Sequence, residues 1–178
     1  MTISRRALLA SAVAAPALTR SSRRCMVVES DCLLPESIAG FQTQIVSTHH
    51  ADPDLVIVPG AASLPPALVQ PFLDCGATVL VELFASDGHI TPEPYFPYIE
   101  YSWPIKVKIR EFAAVSLRPA RGDRVIATYA GHPVALRRRA GRGTLLLLGS
   151  PLGPVFLSGD QDARRWLNAI LLTSSARS

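Results

Sequence analysis

The sequence predicts a flavodoxin-like α/β protein, in which a doubly wound, mostly parallel sheet continues into a β-meander and a closing helix. Apolar runs alternate with helical segments through the first half of the chain, a pattern typical of βαβ units. The second half holds short strand-like segments separated by glycine turns, followed by one amphipathic segment. With 178 residues, 48% of them hydrophobic and 18% charged, the chain is long enough for one good core and too short for two ordinary domains.

The first half predicts four strands and two helical segments. The strands are "CMVVES", "TQIVST", "DLVIVPG" and "ATVLVELFA", and the third run is almost wholly apolar, as in a strand buried on both faces of a parallel sheet. A short helical piece is expected around "LLPESIAG". A longer helix, "SLPPALVQPFLDCG", has Pro65 and Pro66 where a first turn tolerates them and Gly76 at a natural stop. We expect this helix to be kinked or interrupted at Pro71.

The second half predicts a loop, a meander and a helix. The proline- and aromatic-rich stretch 92–104, "PEPYFPYIEYSWP", has no helical or strand period and is predicted to be a loop. "KVKIREF" alternates charged and apolar residues, which is typical of a half-exposed strand. Further short strands are expected at "AAVSLRP", "RVIATY", "PVALRRR" and "TLLLLGS", and the last three form the meander. The closing helix, "DQDARRWLNAILLTS", places Trp166 and Ile170 on its inner face, with Asp160 and Asp162 favourably at its start.

The first twenty residues predict an export signal rather than part of the fold. A basic start at Arg5 and Arg6 precedes an apolar run over 7–18, and the small residues at 15–17 are typical of a cleavage site. The stretch "SRRALL" also resembles a twin-arginine signal, with leucine where that pattern often has phenylalanine. The alternative is an amphipathic or frayed N-terminal helix, although the run is apolar all round.

We therefore expect residues 1–20 to be a signal peptide and residues 25–174 to form one domain. The mature chain is predicted to carry no membrane span and to be periplasmic or secreted. Its formal charge of +4 includes Arg5 and Arg6, and without them 16 basic residues face 14 acidic ones. That balance predicts no nucleic-acid partner. The partners expected instead are a small molecule, of carbohydrate or carboxylate type, or another envelope protein; the oligomeric state is left open.

The three cysteines show no CxxC or metal-binding spacing. If residues 25–30 form a strand, Cys25 and Cys32 lie about seven residues apart at about 3.3 Å each, far beyond the roughly 7 Å that a disulfide allows between Cα atoms. We expect them not to pair. The predicted role of Cys25, Cys32 and Cys75 is that of buried, apolar thiols.

A histidine pair, His49 and His50, lies near Asp52 and Asp54, a composition that suggests a metal site. Adjacent residues on a strand point to opposite faces, and the sequence offers no suitably spaced further ligand. We expect a solvated loop here, and no metal or cofactor in the protein.

Two longer segments resemble a known superfamily. "DLVIVPGAASLPPALVQPFLDCGATVLVE" looks like the core of the class I glutamine amidotransferase-like superfamily. "VIATYAGHPVALRRRAGRGTLLLLGS" is similar to the end of the amidotransferase-like domain of family 42 β-galactosidases, with a hairpin carrying Gly-x-Pro, a basic strand, Gly-x-Gly and an apolar strand ending in glycine. The resemblance covers roughly residues 54–172 and consists mostly of fold signals.

The resemblance implies a catalytic centre whose key positions are changed in this chain. Active members place a cysteine in a Gly-x-Cys-x-Gly turn after the fourth strand and a His-x-Glu pair after a late strand, so that a thiolate attacks the amide carbon and the histidine moves the proton. The alignment places Val81, Leu83 and Ala85 at the turn, and Ser150 and Leu152 at the histidine and glutamate. No cysteine occurs after the fourth strand begins. Glutamine hydrolysis by this mechanism is not expected, so the chain is predicted to be a pseudoenzyme with no catalytic residues.

Ligand binding without catalysis remains open, because the carboxyl ends of the strands in open α/β sheets converge on one crevice. The candidate crevice residues are small or polar: Asp31, Gly60, Ala61, Ser63, Ser86, Asp87 and Ser150. They could hold a sugar or a carboxylate, or they could be ordinary strand-to-helix turns. Gly60 occupies the position that resembles the oxyanion-hole loop of the superfamily.

Three further features leave alternatives open. Ser86, with Asp87 and His89 close by, could act as a nucleophile, but no Gly-x-Ser-x-Gly elbow surrounds it and a turn-capping role is favoured. The aromatic residues Tyr95, Tyr98, Tyr101 and Trp103 could form a contact loop for sugar rings or a partner, or fold onto the core. The basic residues Arg137, Arg138, Arg139 and Arg142 could form a patch for an acidic partner or an exposed strand, with Arg138 on the opposite face and a candidate for a buried ion pair.

Taken together, these features predict an exported, amidotransferase-like domain that lacks the Cys-His-Glu triad and serves as a ligand-binding or protein-interaction module. The first alternative is an exported hydrolase that uses Ser86 or Ser150. The second is a subunit that completes an envelope assembly, which would expose an apolar patch of several hundred Å².

Overall fold

A mixed β-sheet organises the chain, and helices pack on both of its faces. The computed structural model describes residues 25–27, 43–45, 53–61, 64–83, 89–90, 98–111 and 113–175. Its strands are β1 (Cys25–Val27), β2 (Thr43–Ile45), β3 (Leu55–Ala61), β4 (Thr78–Leu83), β5 (His89–Ile90), β6 (Tyr98–Tyr101), β7 (Val107–Arg110), β8 (Ala114–Val115), β9 (Arg124–Tyr129), β10 (His132–Ala140) and β11 (Gly143–Leu148). Its helices are α1 (Pro66–Cys75), α2 (Leu152–Leu157) and α3 (Gln161–Ser175).

The large sheet has nine described strands in the order β2-β1-β3-β4-β11-β10-β9-β6-β7. From β2 to β11 every neighbouring pair is parallel, and from β11 to β7 every pair is antiparallel. The parallel half follows the strand order of flavodoxin-like folds. The sheet as a whole is mixed, which corrects the prediction of a mostly parallel sheet. The reason is that β10, β9, β6 and β7 extend the sheet beyond β11 instead of forming a separate layer.

Most predicted elements of the described chain are present. The four strands of the first half, the β9–β10–β11 meander and the closing helix α3 all form, whereas the segment around "LLPESIAG" lies outside the described residues. The loop predicted over 92–104 is wrong in part, because β6 lies within it. Residues Tyr98 to Tyr101 alternate exposed and buried, and pairing with β7 on one side and β9 on the other holds them extended.

Helix α1 is continuous through Pro71, so the predicted interruption is wrong. Pro71 is exposed, and the backbone carbonyl that loses its donor there lies on the exposed side of the helix, where water can satisfy it. The predicted stop is confirmed. Gly76 has φ 97°, and the N–H groups of Gly76 and Ala77 donate to the carbonyls of Leu73 and Phe72 at 3.1 and 3.0 Å.

The two faces of the sheet bury two apolar cores. One core packs under α3 and contains the predicted inner-face residues Trp166 and Ile170, both fully buried. The other packs under α1 around Leu73. Cys25 is buried in the first core, as expected, and burial raises the pKa of its thiol to about 12. Cys75 is exposed, contrary to prediction, because it ends α1 on the outer side of the helix.

Arg138 forms the partly buried ion pair that its strand position predicts. Its Nε and Nη2 donate to the two carboxylate oxygens of Asp123 at 2.7 and 3.1 Å, and the Asp123 side chain is 1% exposed. Asp123 also accepts a hydrogen bond from the backbone N–H of Ala120, which fixes the turn before β9. A bidentate pair on a desolvated carboxylate stabilises this end of the meander more than a surface ion pair would.

Gly149 is a position at which a side chain does not fit. A Cβ built there would lie 2.1 Å from the carbonyl oxygen of Val115, because the Gly149 carbonyl accepts from Val115 N–H and the Gly149 N–H donates to Val134. We expect Gly149→Ala to lower the free energy of unfolding by about 1–3 kcal/mol in urea denaturation. The exposed strand substitution Thr128→Ala serves as the control, expected within about 0.5 kcal/mol of wild type. Equal stability of the two variants would contradict the close approach.

Candidate functional site

Four polar side chains are buried together near the ends of four strands. They belong to Glu82, Tyr101, Glu111 and Ser150, which we call the carboxyl cluster and which are 3%, 0%, 1% and 0% exposed, respectively. Glu82 lies near the end of β4 and Tyr101 is the last residue of β6. Glu111 directly follows β7, and Ser150 comes two residues after β11. Strand ends from both halves of the sheet therefore supply one polar site.

A chain of hydrogen bonds joins three members of the carboxyl cluster. The Tyr101 hydroxyl donates to Oε1 of Glu111 at 3.1 Å, and the Tyr101 and Ser150 hydroxyl oxygens are also 3.1 Å apart. A tyrosine hydroxyl has one proton, so Ser150 is the donor in the second bond. The resulting direction is from Ser150 to Tyr101 to Glu111. Burial raises the pKa of Tyr101 well above its usual value, which keeps its hydroxyl protonated.

Glu82 connects the carboxyl cluster to two backbone segments. Its Oε1 accepts a hydrogen bond from the backbone N–H of Leu152, the first residue of α2, at 2.9 Å. Burial raises the pKa of Glu82 to about 7, and the backbone N–H groups of Leu152 and Gly60 hold it down from a higher value. Glu82 thus ties the end of β3 and the start of α2 to the end of β4.

Glu111 is the member of the cluster that is not fully satisfied. Burial raises its pKa well above the usual range, and the charges of Glu82 and Asp160 raise it further, whereas the neighbouring hydroxyl groups of Ser150 and Tyr101 lower it. Its Oε2 has no hydrogen-bond partner among the described residues. An unsatisfied buried polar atom costs about 1–3 kcal/mol, so it calls for a ligand, a water molecule or a functional reason.

Aromatic packing holds Tyr101 in place. Its ring lies 4.7 Å from the Trp166 ring, centroid to centroid, at an interplanar angle of 49°. The Trp166 indole N–H donates to the Trp103 carbonyl at 2.7 Å. Asp160 caps α3 through the backbone N–H groups of Asp162 and Ala163 and also accepts from the N–H of Arg110, as the predicted acidic start of this helix allows. These contacts hold the Tyr101 ring in position beside Glu111.

The structure brings some predicted site residues together and leaves others undescribed. Gly60 lies beside Glu82 at the carboxyl end of β3, Ser150 lies beside Tyr101 just after β11, and Ala61 pairs with Leu83 across β3 and β4. Leu83 is half-buried and Leu152 is fully buried. The remaining crevice candidates lie outside the described residues: Asp31, Ser63, Ser86 and Asp87.

The predicted aromatic contact loop is divided by the fold. Tyr101 is fully buried and hydrogen-bonded within the carboxyl cluster, so for this residue the alternative of folding onto the core is confirmed. Trp103 is half-buried and packs against the core under α3. Tyr98 is 51% exposed and remains a surface candidate, and Tyr95 lies outside the described residues. The alternation along β6 explains the division, since Tyr98 and Tyr101 point to opposite faces.

Sequence reasoning missed both glutamates, although each leaves a signal. Glu82 is the one charged residue in "TVLVEL", and a charge inside a run buried on both faces must have a partner. Glu111 continues the inward alternation of Val107 and Ile109, which places a carboxyl on the apolar face of the sheet. In each case, the pattern of apolar residues along the strand assigns a charged residue to the core. That conflict is the sequence signal for the site.

Metal binding and membrane spanning find no support within the described part of the chain. No group there of three or more histidine, cysteine, aspartate or glutamate side chains could hold a metal ion. No helix among these residues is long and apolar enough to cross a membrane. The exposed large apolar side chains among them are Tyr98, Val125 and Leu172, on three different elements.

Comparison with known proteins identifies the fold. No family model and no curated protein sequence matches the chain. Cytoplasmic protein STM1381 from Salmonella typhimurium LT2 superposes with a TM-score of 0.58 at 12% identity, over 85% of this chain and 98% of that one. A β-galactosidase from Bacillus circulans sp. alkalophilus gives 0.55 at 13% identity, over 83% of this chain and 31% of the enzyme. A family 42 β-galactosidase from G. stearothermophilus gives 0.52 at 12% identity, over 84% and 30%.

These likenesses show an α/β fold shared with the Salmonella protein and with part of the β-galactosidases, the second of which belongs to the family that the sequence resembles. The chain spans nearly the whole of the Salmonella protein but less than a third of the β-galactosidases. At identities of 12–13% the likeness concerns the fold alone. Function must therefore be argued from the residues of the carboxyl cluster.

Proposed function

We propose that this chain is an exported, amidotransferase-like domain that lacks the Cys-His-Glu triad and binds a small ligand in the crevice beside the carboxyl cluster. The observation that carries the proposal is the cluster itself. Two buried carboxyl groups and two hydroxyl groups lie together there, and one carboxyl oxygen has no hydrogen-bond partner among the described residues. One member, Ser150, is at a position that the alignment assigns to a catalytic group. Export is proposed on the N-terminal signal pattern alone.

The hydrogen bonds of the carboxyl cluster favour binding over hydrolysis. A serine nucleophile needs a base that takes its proton, within about 3.2 Å. The Ser150 hydroxyl lies 3.1 Å from the Tyr101 hydroxyl, which is itself protonated and donates to Glu111. Tyr101 can therefore accept a hydrogen bond from Ser150 without accepting its proton. Leu83, at the aligned nucleophile position, packs its apolar side chain against the core under α1 and carries no nucleophilic group.

Buried polar groups without full partners are retained at a cost in stability, which is typical of binding and catalytic sites. In the carboxyl cluster, Oε2 of Glu111 has no hydrogen-bond partner among the described residues, and burial raises the pKa of Glu82. Both features lower the stability of the folded protein. Because neighbouring strand ends and the start of α2 meet there, a ligand in this crevice would contact several elements at once.

Two measurements on the purified protein test the proposal. Incubation with glutamine is expected to release no glutamate above the buffer blank, and a thermal-shift screen against neutral sugars and small carboxylates is expected to give a compound that raises the melting temperature. Ser150→Ala should remove that ligand-dependent shift, whereas the exposed substitution Ser158→Ala should leave it unchanged. Glutamate release that follows protein concentration would refute the loss of the triad, and a shift that survives in Ser150→Ala would place the ligand elsewhere.

A further inference from the structure

Three arginines share one face of the β9–β10 hairpin. The register places Arg124 directly opposite Arg137, and Arg139 follows two residues along β10. Directly opposed residues of an antiparallel pair lie on the same face, and so do residues two apart on a strand. We call Arg124, Arg137 and Arg139 the arginine triplet. It lies on the α3 side of the sheet, because Arg137 is opposite Leu146, a member of the core under α3.

The arginine triplet places three positive charges close together on one face of the β9–β10 strand pair. Like charges directly opposite each other destabilise a strand pair. Arg138 lies between Arg137 and Arg139 in the sequence but points to the other face of the sheet. There it forms an ion pair with Asp123, so the carboxylate of Asp123 does not neutralise the triplet. Among the described residues, Arg124 and Arg139 form no ion pair with an acidic side chain. A bound anion would relieve this repulsion.

One member of the triplet is already positioned by the fold. The Arg137 guanidinium carbon lies 4.6 Å from the centroid of the Trp103 ring, a cation–π contact that orients its planar group. Trp103 is in turn anchored, since its carbonyl accepts the Trp166 indole N–H at 2.7 Å. Less side-chain freedom is therefore lost when Arg137 binds a ligand.

We propose that the arginine triplet is a binding site for the phosphate group of a small, soluble compound. Directly opposed side chains have Cβ atoms about 4.5–5.5 Å apart, so the forks of Arg124 and Arg137 can both contact one phosphate. A phosphate group carries more negative charge than a single carboxylate, so it neutralises more of the positive charge of the triplet. Arg139 lies about 7 Å along β10 from Arg137, a span that suits one compact group rather than the backbone of a polymer.

The arginine triplet is separate from the carboxyl cluster. Arg139 is opposite Thr144 at the start of β11, and Thr144 pairs with Thr78 at the start of β4. Glu82 and Ser150 lie at the other ends of the same two strands. The two sites are at opposite ends of the parallel strands, so this inference does not depend on the function proposed for the crevice.

The probe for this site is inorganic phosphate, titrated calorimetrically into the full-length protein at constant ionic strength maintained with chloride. We expect saturable binding in the wild type and a dissociation constant at least roughly tenfold higher in Arg124→Gln/Arg139→Gln. The matched control, Arg118→Gln/Arg164→Gln, removes one exposed arginine from the loop before β9 and one from α3, and should bind as the wild type does. Without phosphate, the triplet variant should melt at or above the wild-type temperature, because repulsion has been removed.

Several results would overturn the proposal. One is equal phosphate affinity in the wild type and the triplet variant, and another is equal weakening in the control variant. Acetate that binds as tightly as phosphate would show that the site does not select a phosphate group. Binding to phosphatidylglycerol vesicles without binding to free phosphate would replace the soluble compound by a lipid surface.

Discussion

Trp166→Ala is expected to lower the free energy of unfolding by about 3–5 kcal/mol, the largest effect of a single substitution that we predict. Trp166 is fully buried, its ring packs at 4.7 Å from the ring of Tyr101, and its indole N–H donates to Trp103 at 2.7 Å. The alanine variant loses this packing and leaves the Trp103 carbonyl without its donor. Urea denaturation followed by circular dichroism measures the difference.

The control for this prediction is Trp166→Phe, which retains an aromatic ring but removes the indole N–H. It should cost less than the alanine variant, because part of the contact with Tyr101 survives. If Trp166→Ala lost less than about 1 kcal/mol, α3 could not be packed on the sheet as described.

The protein is expected to lose stability as the pH rises from about 5 to about 8. Burial raises the pKa of Glu82 from the ordinary 4.5 to about 7. The stability contributed by its protonated form is complete below pH 4.5 and is lost as the pH rises through 7. A difference of that size corresponds to roughly 3 kcal/mol. Burial also raises the pKa of Glu111, which adds to the loss of stability from pH 4.5 upward.

Denaturant titrations at pH 5, 6, 7 and 8 measure this dependence, and two isosteric variants assign it. Glu82→Gln should flatten the curve between pH 5 and 7, because its amide oxygen can still accept from the Leu152 N–H but carries no titrating proton. Glu111→Gln should likewise reduce the slope of the curve from pH 4.5 upward. Glu100→Gln is the exposed control: Lys106 lowers the pKa of Glu100, so its titration lies below pH 4.5, outside the window. A wild type that is more stable at pH 8 than at pH 5 would contradict the burial of both carboxyl groups.

The elements of the fold were predictable where a local period reports them. The inner face of α3, the alternation of β7 and the glycine that ends α1 all follow from residues close together in sequence. Strand β6 was missed because its four residues lie within a proline-rich stretch, and it is held extended by pairing with β7 and β9. The mixed sheet was not predicted, because no pattern of neighbouring residues indicates that β10 pairs with β11 within the same sheet as β4.

The carboxyl cluster was harder to predict for the same reason. Tyr101 and Ser150 are 49 residues apart in the sequence and Glu82 and Leu152 are 70 apart, so their hydrogen bonds exist only once the sheet has formed. The resemblance to the amidotransferase-like superfamily drew attention to Ser150. It could not point to Glu82 or Glu111, because neither occupies a position that the superfamily uses for catalysis in the alignment.

The position of β11, parallel to β4 on one side and antiparallel to β10 on the other, has a consequence for how the chain folds. Its pairing with β10, and that of β10 with β9, closes only short loops, whereas its pairing with β4 closes a much longer one, so we expect the meander to form early. Until β4 arrives, Leu145 to Leu148 present an unpaired apolar edge. The strand that joins the two halves of the native sheet is thus also the segment at which a partly folded chain is most exposed to self-association.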